Sequence, residues 1–438
     1  MNRFFNDLFN SVWKYISTRQ ALGVFIVILL IMVSVLVANV LIALHIVRNE
    51  ADIEGPAEDG SKKRGKAKHG PRFNMLNRID EEFNGYDYVD PKHDKTRQPK
   101  YDDSITLDSF CKQFRYYAAS QLHLYYRMTD IRRFVAGLGV SKLMILQGMS
   151  GTGKTSLAYA MGQFLQNDSV VVPVQPMWKE RSDMIGYFNE FTKRFNETNM
   201  LRKMYEAGYS KNIYITILDE VNISRIEYYF AEFLSLLELP DEDKRYLDVV
   251  SDVWRNDPKM LKNGQIKLPP NMWFIGTANN DDSTFAISDK VYDRAMILNL
   301  ETKCERFDAP LTGPVMMSHT HFVRLIEDAK EAYAMSEEND KKVIALDQFL
   351  IERFHLSFGN RIMRQMHDYV PIYMACGGAE EEAIDDILCK KVLRKLEAQN
   401  PTFVRNSVDD LVKRINELFG EDAMEQCRAY LARLKQGV

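Results

Sequence analysis

One short stretch of this chain gathers the residue types that hold phosphate: Gly148-Met149-Ser150-Gly151-Thr152-Gly153-Lys154-Thr155, followed by Ser156. Glycines at this spacing let backbone N–H groups turn inward around an anion, and a helix starting there adds its partial positive charge. Lys154 is expected to reach the β- and γ-phosphates of a nucleoside triphosphate, and the Thr155 hydroxyl to ligate Mg²⁺. Gly148, Ser150, Gly151, Thr152, Gly153 and Ser156 complete the expected cradle. A second cluster is Asp219-Glu220, placed directly after the apolar run Ile213–Leu218. Carboxylates at the carboxyl ends of parallel strands face the ligand crevice. Asp219 is expected to hold Mg²⁺ through water, and Glu220 to polarise the attacking water. A third candidate follows the run Trp273–Thr277, where Asn279 is the first choice and Asn280 the second for an amide sensing the γ-phosphate.

These residues need a scaffold, and the sequence supplies one. Lys142–Gln147 reads as a buried strand entering the glycine loop, and Ser156–Phe164 as the helix leaving it. Ile213–Leu218 is β-branched and apolar throughout, as a strand of a covered parallel sheet should be. Met296–Leu300 reads as a further strand, just after Asp293-Arg294. Toward the C-terminus, Val408, Leu411, Val412, Ile415, Leu418 and Phe419 recur at helical spacing, as do Ile384, Ile387 and Leu388; Gly377-Gly378 and Gly420 break the helices.

Together the stretches GMSGTGKTS, ILDEVNISRIEYYFAEFLSLLE and PPNMWFIGTANNDDSTFAISDKVYDRA resemble the McrB-like branch of AAA+ ATPases, and more distantly MoxR-type chaperones. The stretch VPVQPMWKERSDMIGYFN is similar to that branch as well. The resemblance implies an α/β fold: a three-layer P-loop domain with a parallel sheet at 105–304, then an all-helical lid at 305–438. It implies ATP and Mg²⁺ as cofactors and a homo-oligomeric ring, usually a hexamer, with nucleotide at each subunit boundary. Arg294 matches the arginine finger that reaches the neighbouring subunit's γ-phosphate. Arg361, with Arg353 and Arg364 close by, matches the lid arginine that contacts nucleotide. No NKxD-type guanine motif is present, which favours ATP without excluding GTP.

The N-terminal part departs from the restriction subunits, which carry a DNA-reading domain there. Residues 1–20 read as an amphipathic interfacial segment built on Phe5, Leu8, Phe9, Val12, Trp13 and Ile16. Between Arg19 and Arg48 there is no Asp, Glu, Lys or Arg, so 21–47 reads as a transmembrane helix. Residues 48–104 read as a charged flexible tether. On this reading the chain is a single-pass membrane protein with its catalytic domain in the cytoplasm, where ATP is found.

The whole-chain composition narrows the functions. Of 438 residues, 46% are hydrophobic and 27% charged, with a net charge of −4. That balance suits a folded chain and gives no basic excess for constant nucleic-acid binding. Five scattered cysteines without CxxC spacing suit reduced thiols. The run Pro240–Lys244 is a solvated charge cluster rather than a nuclease site, and His319-Thr320-His321 is a weak metal candidate. The expected function is a membrane-anchored ATPase remodelling a macromolecular partner, with a defence role akin to restriction among its contexts. The expected partner is an unidentified protein effector, with a nuclease-like subunit one form of it. The alternative is a nucleotide-gated membrane scaffold, or a MoxR-like chaperone, that recruits an effector.

Overall fold

The computed structural model describes residues 70–83, 100–279 and 284–436. The proposed segments 1–20 and 21–47 lie outside these residues, as does Asn280. Residues 72–253 with 257–438 form one compact unit.

The framework is a five-stranded parallel sheet of β1 (Leu143–Gly148), β2 (Val170–Pro173), β3 (Tyr214–Asp219), β4 (Met272–Asn279) and β5 (Met296–Asn299), in the order β5-β1-β4-β3-β2. Strands β1, β3, β4 and β5 are apolar on both faces because both are covered, whereas Val171 and Pro173 of the edge strand β2 are exposed. The two-residue period sorts the side chains. Met144, Leu146, Ile215, Ile217, Trp273, Ile275 and Met296 pack into one core with α2 (Leu107–Leu122), α3 (Met128–Val140) and α4 (Lys154–Phe164). Leu143, Ile145, Tyr214, Met272, Phe274 and Ile297 point to the other side. There they meet α1 (Met75–Glu82), α5 (Asn199–Ala207) and α6 (Ala231–Glu238). The expected α/β architecture is present.

After β5 the chain is helical: α7 (His319–Ala332), α8 (Glu337–Phe354), α9 (Gly359–Ala375), α10 (Glu380–Ile387), α11 (Pro401–Phe419) and α12 (Glu425–Gln436). Val408, Leu411, Ile415, Ile384, Ile387 and Leu388 are all buried, as their spacing predicts. The helical region shares its core with α2–α4. His321 Nε2 donates to the Ile105 carbonyl at 2.9 Å and the His319 ring tilts against Trp273, so both histidines serve packing.

Two expectations need correction. The charged stretch 48–104 is not a tether throughout. Phe73, Leu76 and Ile79 of its described part are buried, and Phe73 stacks on Phe195. Arg72 forms a two-pronged ion pair with Asp257 at 2.7 Å, and Asp80 accepts from the Tyr205 and Tyr209 hydroxyls at 2.6 Å. Composition averaged over the stretch hides this, since few apolar residues face the domain, Phe73, Leu76, Ile79 and the half-buried Phe83 among them. The second correction concerns the membrane. Among the described residues no helix is long and apolar enough to cross a bilayer, so the assignment as a single-pass membrane protein is withdrawn.

Candidate active site

The glycine loop leaves β1 at Gly148, whose φ of 147° brings it so close to β5 that a Cβ would lie 2.2 Å from the Leu300 carbonyl oxygen. Gly153, at φ 90°, starts α4. Such a backbone favours glycine, and a side chain would also press on the Tyr126 hydroxyl, which donates to the Gly153 carbonyl at 3.0 Å. Lys154, Thr155 and Ser156 therefore occupy the first helical turn, where N–H groups lack intrahelical partners and the dipole favours an anion. The Lys154 side chain is buried and its ammonium donates to the carbonyls of Gly148 at 3.0 Å and Met149 at 2.7 Å. The lysine thus arches over the loop.

Two strand ends bring the acids to that loop. Asp219 ends β3, and its Oδ1 accepts from the Thr155 hydroxyl at 2.8 Å and the Thr277 hydroxyl at 2.7 Å. Thr277 in turn accepts the Glu220 N–H at 3.0 Å. Glu220 has φ 56° and ψ 52°, a left-handed conformation uncommon outside glycine, between β3 and the turn Val221–Ile223. Non-glycine residues keep such a conformation where the surroundings over-determine it, commonly at functional sites. Its side chain is exposed beside the loop.

Asn279 ends β4, in register with Gly148. Its carbonyl accepts from the buried Asn222 amide at 2.8 Å, and that amide also reaches the Thr284 hydroxyl at 2.9 Å. Lys154, Thr155, Asp219, Glu220 and Asn279 are thereby gathered at one end of the sheet. Thr277, Asn222 and Tyr126 were missed from sequence. A lone threonine within an otherwise apolar strand was the one signal available for the first.

A magnesium-bound triphosphate fits this donor set. Among the described residues no cluster of three or more His, Cys, Asp or Glu could hold an ion unaided. Mg²⁺ beside phosphates takes few protein ligands, and a hydroxyl with a single carboxylate at hydrogen-bond distance is sufficient. Thr155 and Asp219 would hold it.

The two arginines lie elsewhere. The Ser141 hydroxyl, just before β1, donates to the Arg294 carbonyl at 2.9 Å. Arg294 is thus at the starting end of β1, roughly 20 Å from the loop at about 3.3 Å per strand residue. Arg361, in the first turn of α9, pairs with Glu238, which also pairs with Arg294. The structure does not bring Arg361 to the phosphate loop of its own chain.

A hairpin of Gly186–Asn189 and Arg194–Glu197 projects from the segment between β2 and α5. Asn189 Oδ1 accepts the N–H groups of Phe191 and Thr192 at 2.9 and 3.0 Å, which orders a tip carrying Phe191 at 93% exposure. Met177, nearby in sequence, is 79% exposed and Tyr187 is exposed as well.

The family comparison agrees with this geometry. Residues 143–295 match the family model described as AAA domain (dynein-related subfamily). Residues 314–438 match one described as a domain of unknown function (DUF8727). No curated protein matches the chain. Among solved structures, a protein provisionally named as an ATPase from Cytophaga hutchinsonii is 14% identical with a TM-score of 0.45, over 69% of this chain and 92% of that one. A full-length MCM homolog from Methanopyrus kandleri is 11% identical with a TM-score of 0.38, over 68% and 65%. These scores are too low to carry an argument about function.

Proposed function

We propose that this chain is a ring-forming ATPase that hydrolyses Mg-ATP between subunits and uses the cycle to remodel a macromolecular partner. The observation carrying this reading is the chain of contacts Thr155–Asp219–Thr277–Glu220, which ties the phosphate loop to both strand-end acids. The ion would supply charge neutralisation at the phosphates. Lys154 shifts its ammonium from the loop carbonyls to phosphate oxygens. Glu220, its backbone N–H held by Thr277, aligns the attacking water and accepts its proton. Asn279 binds that water or the γ-phosphate from the next strand. Arg294 completes the site in the adjacent subunit by neutralising charge on the transferred group.

We take the partner to be a protein segment, with Phe191 at the ordered hairpin tip as its candidate contact. The net charge of −4 offers no general attraction for nucleic acid. A nuclease-like subunit, as in restriction systems, is one protein that could fill this role; the exposed hairpin equally suits a chaperone's client.

Steady-state hydrolysis measured against protein concentration tests the reading. Specific activity should rise as rings form, and Glu220→Gln should bind ATP yet turn over at least about 100-fold more slowly. No hydrolysis at any concentration, ring-forming ones included, would refute it.

A further inference from the structure

Glu238 closes α6 and holds two arginines from distant parts of the chain. Arg294 Nη2 lies 2.7 Å from Glu238 Oε2, while Arg361 pairs with Oε1. One partly exposed carboxylate therefore sets an arginine from the turn before β5 beside one from the helical region. That turn is fixed by three more side chains. Lys391, buried, donates to the carbonyls of Tyr292 at 2.6 Å and of Ala295. Gln365 donates to the Asp293 carbonyl at 3.1 Å, and Lys395 pairs with Asp293 at 3.8 Å. Burying a lysine is costly unless its ammonium finds acceptors, and here both are carbonyls flanking Arg294. Both guanidinium groups line a cavity of about 680 Å³ that also receives Arg364 and Lys142.

Two guanidinium groups around one carboxylate keep an excess positive charge and free donor directions, which suits phosphate oxygens. They sit at the starting end of β1, with the length of the strand between them and their own phosphate loop. Resting on the ATPase reading above, the geometry points to Glu238 as a positioning residue that assembles Arg294 and Arg361 into a two-arginine clamp. The clamp takes the terminal phosphates of a nucleotide bound by the adjacent subunit. Arg361 thus acts across the boundary and not on its own chain's nucleotide.

Two measurements on the full chain test this. Glu238→Gln removes the charge while keeping size, so ATP affinity, read with a fluorescent analogue, should stay unchanged while kcat falls at least about 10-fold. A wild-type kcat in Glu238→Gln overturns the positioning role. Lys154→Ala and Arg361→Ala are then mixed as subunits before assembly. If Arg361 serves the neighbour, mixed boundaries pair an intact loop with an intact clamp, and activity exceeds the sum of the two variants alone. If it serves its own chain, no boundary has both, and the absence of gain overturns the assignment. An inert wild type would instead remove the ATPase reading itself, whereas an active wild type without gain removes only the clamp.

Discussion

The hydroxyl of Thr155 donates to Asp219 Oδ1 at 2.8 Å, joining the first turn after the glycine loop to the carboxyl end of β3. Neither residue constrains the other in sequence. The parallel order β1-β4-β3 brings them together, because both the loop and the acid leave the sheet at the same edge. A hydroxyl and a carboxylate so close form a pair into which a hard cation fits with little rearrangement.

Asp219→Asn keeps the shape of this pair and removes its charge. ATP binding without divalent ions should change little, whereas the gain in affinity on adding Mg²⁺ should shrink about 10-fold or more. Calorimetric titration with and without Mg²⁺ reads both. An unchanged Mg²⁺ effect would place the ion elsewhere.

Thr277→Val deletes the hydroxyl that donates to Asp219 at 2.7 Å and accepts from the Glu220 N–H at 3.0 Å. With Glu220 no longer held in its left-handed conformation, kcat should fall about 10-fold or more with little change in KM. The fold should lose only about 1–3 kcal/mol, measured by urea unfolding. An equal loss in kcat and in stability-limited yield would reduce Thr277 to a packing role.

Glu197, at the end of the hairpin, accepts the N–H groups of Asn74, Met75 and Leu76 at 2.7, 2.8 and 2.8 Å. It therefore caps α1 from a distant element. Glu197→Ala should cost about 1–2 kcal/mol and raise amide exchange over 74–82 selectively. Exchange unchanged there would mean that α1 is held by its apolar face alone.

His319 carries the clearest pH signature. Burial, with the positive charge of Lys142 adding to it, pulls its imidazole down to about 4. In the unfolded chain the group protonates near 6.5. Above that pH it is neutral in both states and stability is unaffected. As pH falls through the window from 6.5 to 4, the unfolded chain takes up the proton first, so stability is lost, by at most roughly 3 kcal/mol. Thermal melts should show this loss, and His319→Phe, which keeps the ring against Trp273, should flatten it. An identical pH profile in the variant would exclude His319 as its source.

Much of this site was legible in the sequence because its residues are punctuated by strands. Lys154, Asp219 and Asn279 each stand at the end of an apolar run, and such runs in a parallel sheet deliver their ends to one edge. Arg294 was legible only by resemblance, since its place at the opposite edge follows from strand direction. Arg361 too was legible only by resemblance: helical spacing gives the face a residue occupies but not which domain surface that face meets. Asn222 and Glu238 were illegible, each acting through a contact with a residue far along the chain, and Thr277 was marked only as a lone threonine in an apolar strand. The segment 72–83 was hidden by composition, its apolar residues Phe73, Met75, Leu76, Ile79 and Phe83 being outweighed by the charges of the stretch around them. Its anchoring comes from Asp257, Tyr205 and Glu197, which no local pattern announces.

The most direct measurement is single-turnover hydrolysis of Mg-ATP by wild type and Glu220→Gln at matched nucleotide occupancy. Wild type should convert bound ATP to ADP and phosphate, while the variant holds ATP intact over the same interval. Equal rates in the two proteins would contradict the role of Glu220, and with it the account of how this site works.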